Sequence, residues 1–209
     1  GPMDCRALRL VVPSGPWMPF SQAFFCGTIS TQGAMACGHP YSLVAMHSLP
    51  DYLQPGLRLV FVGFNPSMRS AAVGHYYAGP GNLFWPLLYE SGLLPTPLTY
   101  AEDARILEFG IGLTDLVKRP TPSSAELSPG EARAGVAQLQ TKLATYTPRV
   151  VCFNGKGVYA WYMNRAVDLG PQNDTIGAAH VFVVPSTSAR NGRWQRREKA
   201  SYFQALRHF

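Results

Sequence analysis

Charge is scarce in this 209-residue chain: Asp, Glu, Lys and Arg make up 14% of it, against roughly a quarter in an ordinary soluble domain. Set beside 46% hydrophobic residues, that balance excludes a chain disordered over its length, which needs the opposite composition. Long apolar runs are missing too. No stretch approaches the roughly 18 residues of a membrane-spanning helix, so no membrane partner is expected. Cysteine is sparse: Cys5, Cys26, Cys37 and Cys152 are irregularly spaced and form no C-x-x-C pair. That excludes a disulfide framework, suggests no zinc or iron–sulfur site, and leaves four reduced thiols. Neither glycine-rich phosphate fingerprint, G-x-G-x-x-G or G-x-x-x-x-G-K-[ST], occurs. Repeats and runs of like charge are also absent.

What charge there is leans one way. Eighteen basic residues against twelve acidic ones leave +6, which favours a polyanionic partner without naming it. The length suits one domain with a small extension. Residues 1–50 carry three charged residues, Asp4, Arg6 and Arg9, and their prolines and glycines recur too often for a long helix. Residues 1–47 are therefore expected to form an apolar extension of short strands or coil lying against a main domain, 48–209. Gly1-Pro2 ahead of Met3 has the form of a tag remnant. A secretory signal is not expected, because Arg6 and Arg9 precede only Leu10-Val11-Val12 before Pro13. An organelle transit peptide stays open.

Beyond Ser48, apolar runs alternate with helical patterns. Leu59-Val60-Phe61-Val62-Gly63-Phe64 has the continuous β-prone character of a strand covered on both faces. Asn82–Glu90 predicts a helix with Asn82 at its cap and Gly92 beyond its end. Ser128-Pro129-Gly130-Glu131 is a capping box with proline at the first helical position, opening a helix to about Tyr146. Arg149–Phe153 predicts a second strand, Val158–Met163 a helix, Val181–Val184 a third strand, and Arg193–Arg207 a closing basic helix. This alternation implies an α/β fold, with helices on both faces of a mostly parallel sheet in three layers, α/β/α.

In such sheets ligands bind beyond the carboxyl ends of the strands. The three predicted strands empty into Gly63-Phe64-Asn65-Pro66-Ser67, Asn154-Gly155-Lys156 and Pro185-Ser186-Thr187-Ser188-Ala189-Arg190. Small polar residues, exposed backbone N–H groups and cations at one sheet edge suit phosphate oxygens and a polar planar ligand. Each turn alone is ordinary Asn-Pro or Pro-Ser chemistry. Their coincidence at three strand ends is what points to a site.

Gly63-Phe64-Asn65-Pro66-Ser67-Met68-Arg69-Ser70-Ala71-Ala72, followed by Gly74-His75-Tyr76-Tyr77-Ala78-Gly79-Pro80-Gly81-Asn82-Leu83-Phe84-Trp85, resembles the mismatch-specific uracil and thymine DNA glycosylases, whose signature runs G-I-N-P-G and then G-x-x-[FY]-x-x-P-x-N-x-F-W. Val184–Arg190 resembles their second motif, and Phe153–Lys156 and Gly110–Val117 are similar to segments between the two. The likeness covers about residues 48–209 and gives residues 1–47 no counterpart. It implies a uracil-DNA glycosylase-like fold and a monofunctional enzyme. That enzyme hydrolyses the N-glycosidic bond of a uracil mispaired with guanine and so initiates base excision repair. Thymine and modified pyrimidines stay open as further substrates. The implied partner is double-stranded DNA carrying G:U or G:T mismatches, met by a monomer in the nucleus if eukaryotic and otherwise in the cytoplasm. No metal or organic cofactor is implied, since water is the second reactant.

The resemblance also assigns roles. Asn65 stands where the family's asparagine orients the attacking water, and Ser70 near that water, where the bacterial branch has serine. Gly63, Phe64, Tyr77 and Asn82 fall in the base pocket, Tyr77 as the ring on which the flipped pyrimidine stacks. Ser186 and Ser188 match serines gripping the flanking phosphates, Asn154 and Lys156 a second phosphate contact, and Arg190 beside Ala189 a wedge filling the hole left in the duplex. Arg193, Arg196, Arg197 and Lys199, with Trp194 among them, extend the expected phosphate contacts. Structural explanations compete at several positions: Tyr77 as a core aromatic, Asn82 as a helix cap, Lys156 as a solvated cation. Three departures leave specificity open, namely Ser67 for glycine, Tyr76 for a frequent histidine, and Pro86 where a basic residue is common. Two other readings stand beside the enzyme: an inactive reader of lesions with the same fold, and an enzyme for a phosphorylated metabolite.

Overall fold

The structure is a computed structural model that describes residues 48–209; the expectations for residues 1–47, with Cys5, Cys26 and Cys37, lie outside the described residues. Its centre is a five-stranded sheet of β1 (Leu59–Gly63), β2 (Ile111–Asp115), β3 (Val150–Asn154), β4 (Gly170–Ile176) and β5 (Ala179–Val184), in the order β2-β1-β3-β5-β4. β1 pairs in parallel with β2 and β3, and β3 with β5, while β4 runs antiparallel to β5.

Side chains alternate across the sheet with the period of two that strands impose. Leu59, Phe61, Cys152, Phe182 and Val184 face a layer holding α2 (Phe84–Glu90) and α5 (Arg196–His208). Val60, Val62, Val151, Phe153, Val181 and Val183 face α3 (Pro129–Tyr146) and α4 (Lys156–Met163). Covering both faces explains why β1, β3 and β5 are continuous apolar runs. Burial raises the Cys152 thiol, the cysteine of β3.

Two strands escaped the sequence pattern. β2 contains Gly112, Thr114 and Asp115, and is a strand because β1 pairs along its whole length. Gly112 is required there: a Cβ would sit 2.6 Å from the Tyr52 carbonyl, where Tyr52 and Leu113 exchange backbone hydrogen bonds. β4, Gly-Pro-Gln-Asn-Asp-Thr-Ile, is an edge strand with alternating exposure, and edges tolerate proline and charge that weaken a strand elsewhere. Helix α1 (Met68–Val73) was also unforeseen; Ser67 caps it by accepting from Ser70 N.

The Ser128 capping box forms, each partner accepting from the other's backbone N–H. Helix α2 begins two residues later than expected, at Phe84, and Asn82 Oδ1 accepts from Phe84 N at 3.0 Å. Helix α5 begins at Arg196, three residues later than expected, because Gln195 and Glu198 form its capping box.

Candidate active site

Parallel pairing aligns the ends of β2, β1, β3 and β5, so four exit segments emerge side by side. The segments after β1 and β2 are stitched together: Leu116 N donates to Gly63 O and Val117 N to Phe64 O, each at 2.9 Å. Asn65 extends the seam. Its Nδ2 donates to the Arg119 carbonyl at 2.9 Å and to Thr121 Oγ1 at 2.7 Å. A carbonyl oxygen only accepts, so the amide orientation is determined and Oδ1 is left without a partner among the described residues. Half-buried Asn65 therefore presents a held acceptor that can orient a water.

The exit of β5 is organised by Asn154, at the end of β3. Its Nδ2 donates to Thr187 Oγ1 at 2.9 Å and its Oδ1 accepts from Thr187 N at 3.0 Å. Both residues are buried, so Asn154, expected at a phosphate, instead positions the loop. Ser186 and Ser188 are half-buried, and Ala189 and Arg190 are exposed. The loop is wound by its own side chains: Ser186 Oγ accepts from Ser188 N, and Ser188 Oγ from Arg190 N. Leu83 N donates to the Thr187 carbonyl at 3.0 Å, which fixes the start of α2 against it. The Arg190 guanidinium donates to the Pro122 carbonyl. The 119–122 segment thus bridges Asn65 on one side and Arg190 on the other.

Lys199, expected to face phosphates, turns inward: it is 3% exposed, and its Nζ donates to the Ser188 carbonyl. Burial lowers its pKa. Arg196 pairs with Glu90. Arg193 and Arg197 stay exposed. Lys156 is exposed and meets Asp168, itself almost fully exposed, at 3.4 Å.

Ser70 is buried, with its hydroxyl accepting from Ala78 N at 3.2 Å and from Ser67 Oγ at 3.1 Å. It therefore ties α1 to the loop carrying Tyr77, and Ser67, the residue standing for the family glycine, completes that tie. Phe64 packs into the core on the α3/α4 face, across the sheet from Tyr77, so only its backbone lies along the strand-end seam. Tyr77 has φ 55°, a left-handed conformation that a bulky residue adopts only when its surroundings impose it. Its ring stacks on Phe84, centroids 3.8 Å apart.

The Tyr77 hydroxyl leads to a residue that the sequence reading missed. Asp115 ends β2, and a Cβ on Gly63 would lie 2.2 Å from its Oδ1 and 3.2 Å from Tyr77 Oη. Only glycine lets these three groups meet. Asp115 Oδ2 and Tyr77 Oη are the two buried side-chain polar atoms, among the described residues, that make no hydrogen bond. Burial pushes the Asp115 carboxyl up to about 7, Asp51 adding to the rise while Lys118 and Lys142 oppose it. Burial and the Asp115 charge push the Tyr77 hydroxyl up as well. Unpaired buried polar atoms cost stability, and a shifted carboxyl at the strand-end edge makes Asp115 a candidate functional residue. The available signal was position: Asp115 lies in Gly110–Val117, a segment already matched to the family, at the end of a strand not read as one.

Asp51 supports this corner from outside. It accepts from Thr114 Oγ1 at 2.6 Å and from Lys118 and Lys142, which together outweigh burial and hold its carboxyl below the usual range. A second polar cluster steadies the Tyr77 loop: buried Asp103 accepts from Tyr76 N at 2.8 Å, Tyr52 Oη at 3.0 Å and meets His75 Nδ1 at 3.0 Å. No group of His, Cys, Asp and Glu able to hold a metal occurs among the described residues.

A solution NMR structure of a Methanosarcina acetivorans protein, provisionally assigned as a uracil DNA glycosylase, shares the fold. Its TM-score is 0.52 at 22% identity, with 78% of this chain and 97% of that chain covered. The sequence model of the Uracil DNA glycosylase superfamily matches residues 50–208, a span that contains every strand and every exit segment of the site. The chain belongs to the Uracil DNA glycosylase superfamily.

Proposed function

We propose that this protein is a monofunctional DNA glycosylase that hydrolyses the N-glycosidic bond of uracil mispaired with guanine, Asn65 and Asp115 dividing the work on the attacking water. One observation carries the reading: Asn65, in the segment leaving β1 and with an acceptor oxygen free among the described residues, and Asp115, the last residue of the adjacent β2 and with an orphaned carboxyl oxygen, lie at the same sheet edge. The superfamily match supplies the substrate class, DNA. In a duplex, uracil paired with guanine flips at lower cost than uracil paired with adenine, because a mispaired base is already poorly held.

An amide is too weak a base to take a proton. Asn65 therefore orients the water, and Asp115, ionised above about pH 7, receives its proton. The water oxygen bonds to the anomeric carbon as the carbon–nitrogen bond breaks and the base leaves with the electron pair. Tyr77, held by Phe84, offers a ring for the flipped pyrimidine, and the Ser186–Arg190 loop offers backbone and hydroxyl donors to flanking phosphates.

A panel of G:U, G:T and A:U duplexes and single-stranded uracil, followed by alkali cleavage, tests the proposal. Strand breakage at uracil, fastest for G:U, is the expected result. Tight mismatch binding with no breakage on any substrate would replace the enzyme by a reader of lesions.

A further inference from the structure

A cleft of about 240 Å³ opens next to the phosphate-facing loop, lined by Lys156, Asp168, Leu169, Arg193, Trp194 and Tyr202. It adjoins the loop through Gly155, where a Cβ would come within 3.3 Å of Ser186 Cβ. Lys156 follows it at the head of α4, and Arg193 lies three residues beyond Arg190. The cleft therefore continues the path of a strand gripped at Ser186 and Ser188.

Its chemistry is that of a nucleotide site. Trp194 is half-buried, its ring held edge-on by Tyr202 at 5.9 Å, and the Arg193 guanidinium lies 6.0 Å from its centroid. A ring already held in place gives up little freedom on stacking. Two cations flank it, and the one carboxylate, Asp168, meets Lys156 at 3.4 Å while 98% exposed, an exposed pair too weak to hold the ammonium back from a phosphate. Base stacking on aromatic side chains beside a basic groove is how proteins follow single-stranded nucleic acid without reading its sequence.

Resting on the DNA-glycosylase reading, we propose that this cleft is an accessory nucleotide subsite: an unpaired base flanking the target stacks on Trp194 while Arg193 and Lys156 hold the adjoining phosphates. The subsite lets the enzyme keep hold of a strand that has lost its complement next to the lesion, as at a fray or a gap.

The test uses the full chain and fluorescein-labelled single strands with a central, uncleavable tetrahydrofuran residue. Flanks of thymidine are compared with flanks of further abasic residues, which keep the phosphates and remove the bases. Anisotropy titration should show that the protein prefers thymidine flanks by about 5- to 150-fold, the range expected for a stacked base. Trp194→Ala should abolish the preference while leaving affinity for the abasic strand within about twofold. Trp194→Leu, an apolar filler without a ring, gives the same readout if alanine leaves the cleft unfolded. A preference that survives either substitution, or a loss equal on both strands, overturns the subsite. Uracil release from a G:U duplex is measured on the same unmodified protein. Release without a base preference overturns the subsite alone, whereas a Trp194-dependent preference without release overturns the glycosylase reading and keeps the subsite.

Discussion

Replacing Asp115 by Asn preserves the shape of the site and removes its one strongly perturbed carboxyl. Burial in the folded protein pushes that carboxyl from 3.8, the value of an unperturbed aspartate, up to about 7. The native state thus binds the proton more tightly than the unfolded chain. Stability from this group is present at low pH and is lost as pH rises towards 7, the reverse of a salt-bridged aspartate. Between about pH 5 and pH 8 the loss amounts to about 2–3 kcal/mol. For a domain of this size, that corresponds to a melting shift of roughly 5–10 °C. Melting curves of the wild type and Asp115→Asn at the two pH values isolate the effect, because every other titrating group is common to both proteins. The variant should lose less stability than the wild type on going to pH 8. It should also release uracil far more slowly, while wild-type release rises with pH through about 7. Identical pH slopes in the two proteins would refute the buried, raised carboxyl, and undiminished release by the variant would refute its service as the base.

Three further outcomes are expected. Asn65→Ala should slow uracil release by about 10²–10³-fold or more, the scale of losing one preorganised polar group, while binding to a mismatched duplex in a gel-shift assay persists; equal release would exclude Asn65 from positioning water. Thr187→Val removes the hydroxyl that accepts from Asn154 Nδ2 and leaves that buried amide donor unpaired, while the Thr187 N–H bond to Asn154 Oδ1 stays, so it should cost about 1–3 kcal/mol in a urea titration and weaken DNA binding by loosening the β5 loop; unchanged binding would show that the loop needs no such brace. Arg190→Ala should change stability by less than about 0.5 kcal/mol, as its side chain is exposed, yet slow release from duplex more than from single strands; equal loss on both would exclude a wedge.

The strands covered on both faces, the capped helix α3 and the strand-end turns were all legible in the chain, since each is written in neighbouring residues. Hydrophobic continuity marked β1, β3 and β5, and Ser128-Pro129-Gly130-Glu131 marked α3. Nothing local marks β2 or β4 as strands. The polar residues of β2 are accommodated by β1 and Tyr52, far away in the chain, and those of β4 by an edge position beside the strand that follows it, β5. The basic run after Arg190 was legible as charge but not as orientation. Helix phase turned Lys199 to the Ser188 carbonyl and left Arg197 outside.

By itself the amino-acid sequence determined the layered α/β architecture, the superfamily, and the sheet edge where a site is expected, because periodicity and motif spacing are properties of adjacent residues. Tertiary structure alone decided which side chains at that edge are free to act. It committed Asn154 to Thr187 and Ser70 to the Tyr77 loop, left Asn65 Oδ1 open among the described residues, and closed Gly63, Tyr77 and Asp115 around one another. A carboxyl's affinity for its proton depends on how much water and charge surround it, and for Asp115 those surroundings come from β1, the Tyr77 loop and the lysines near Asp51, which only folding brings together.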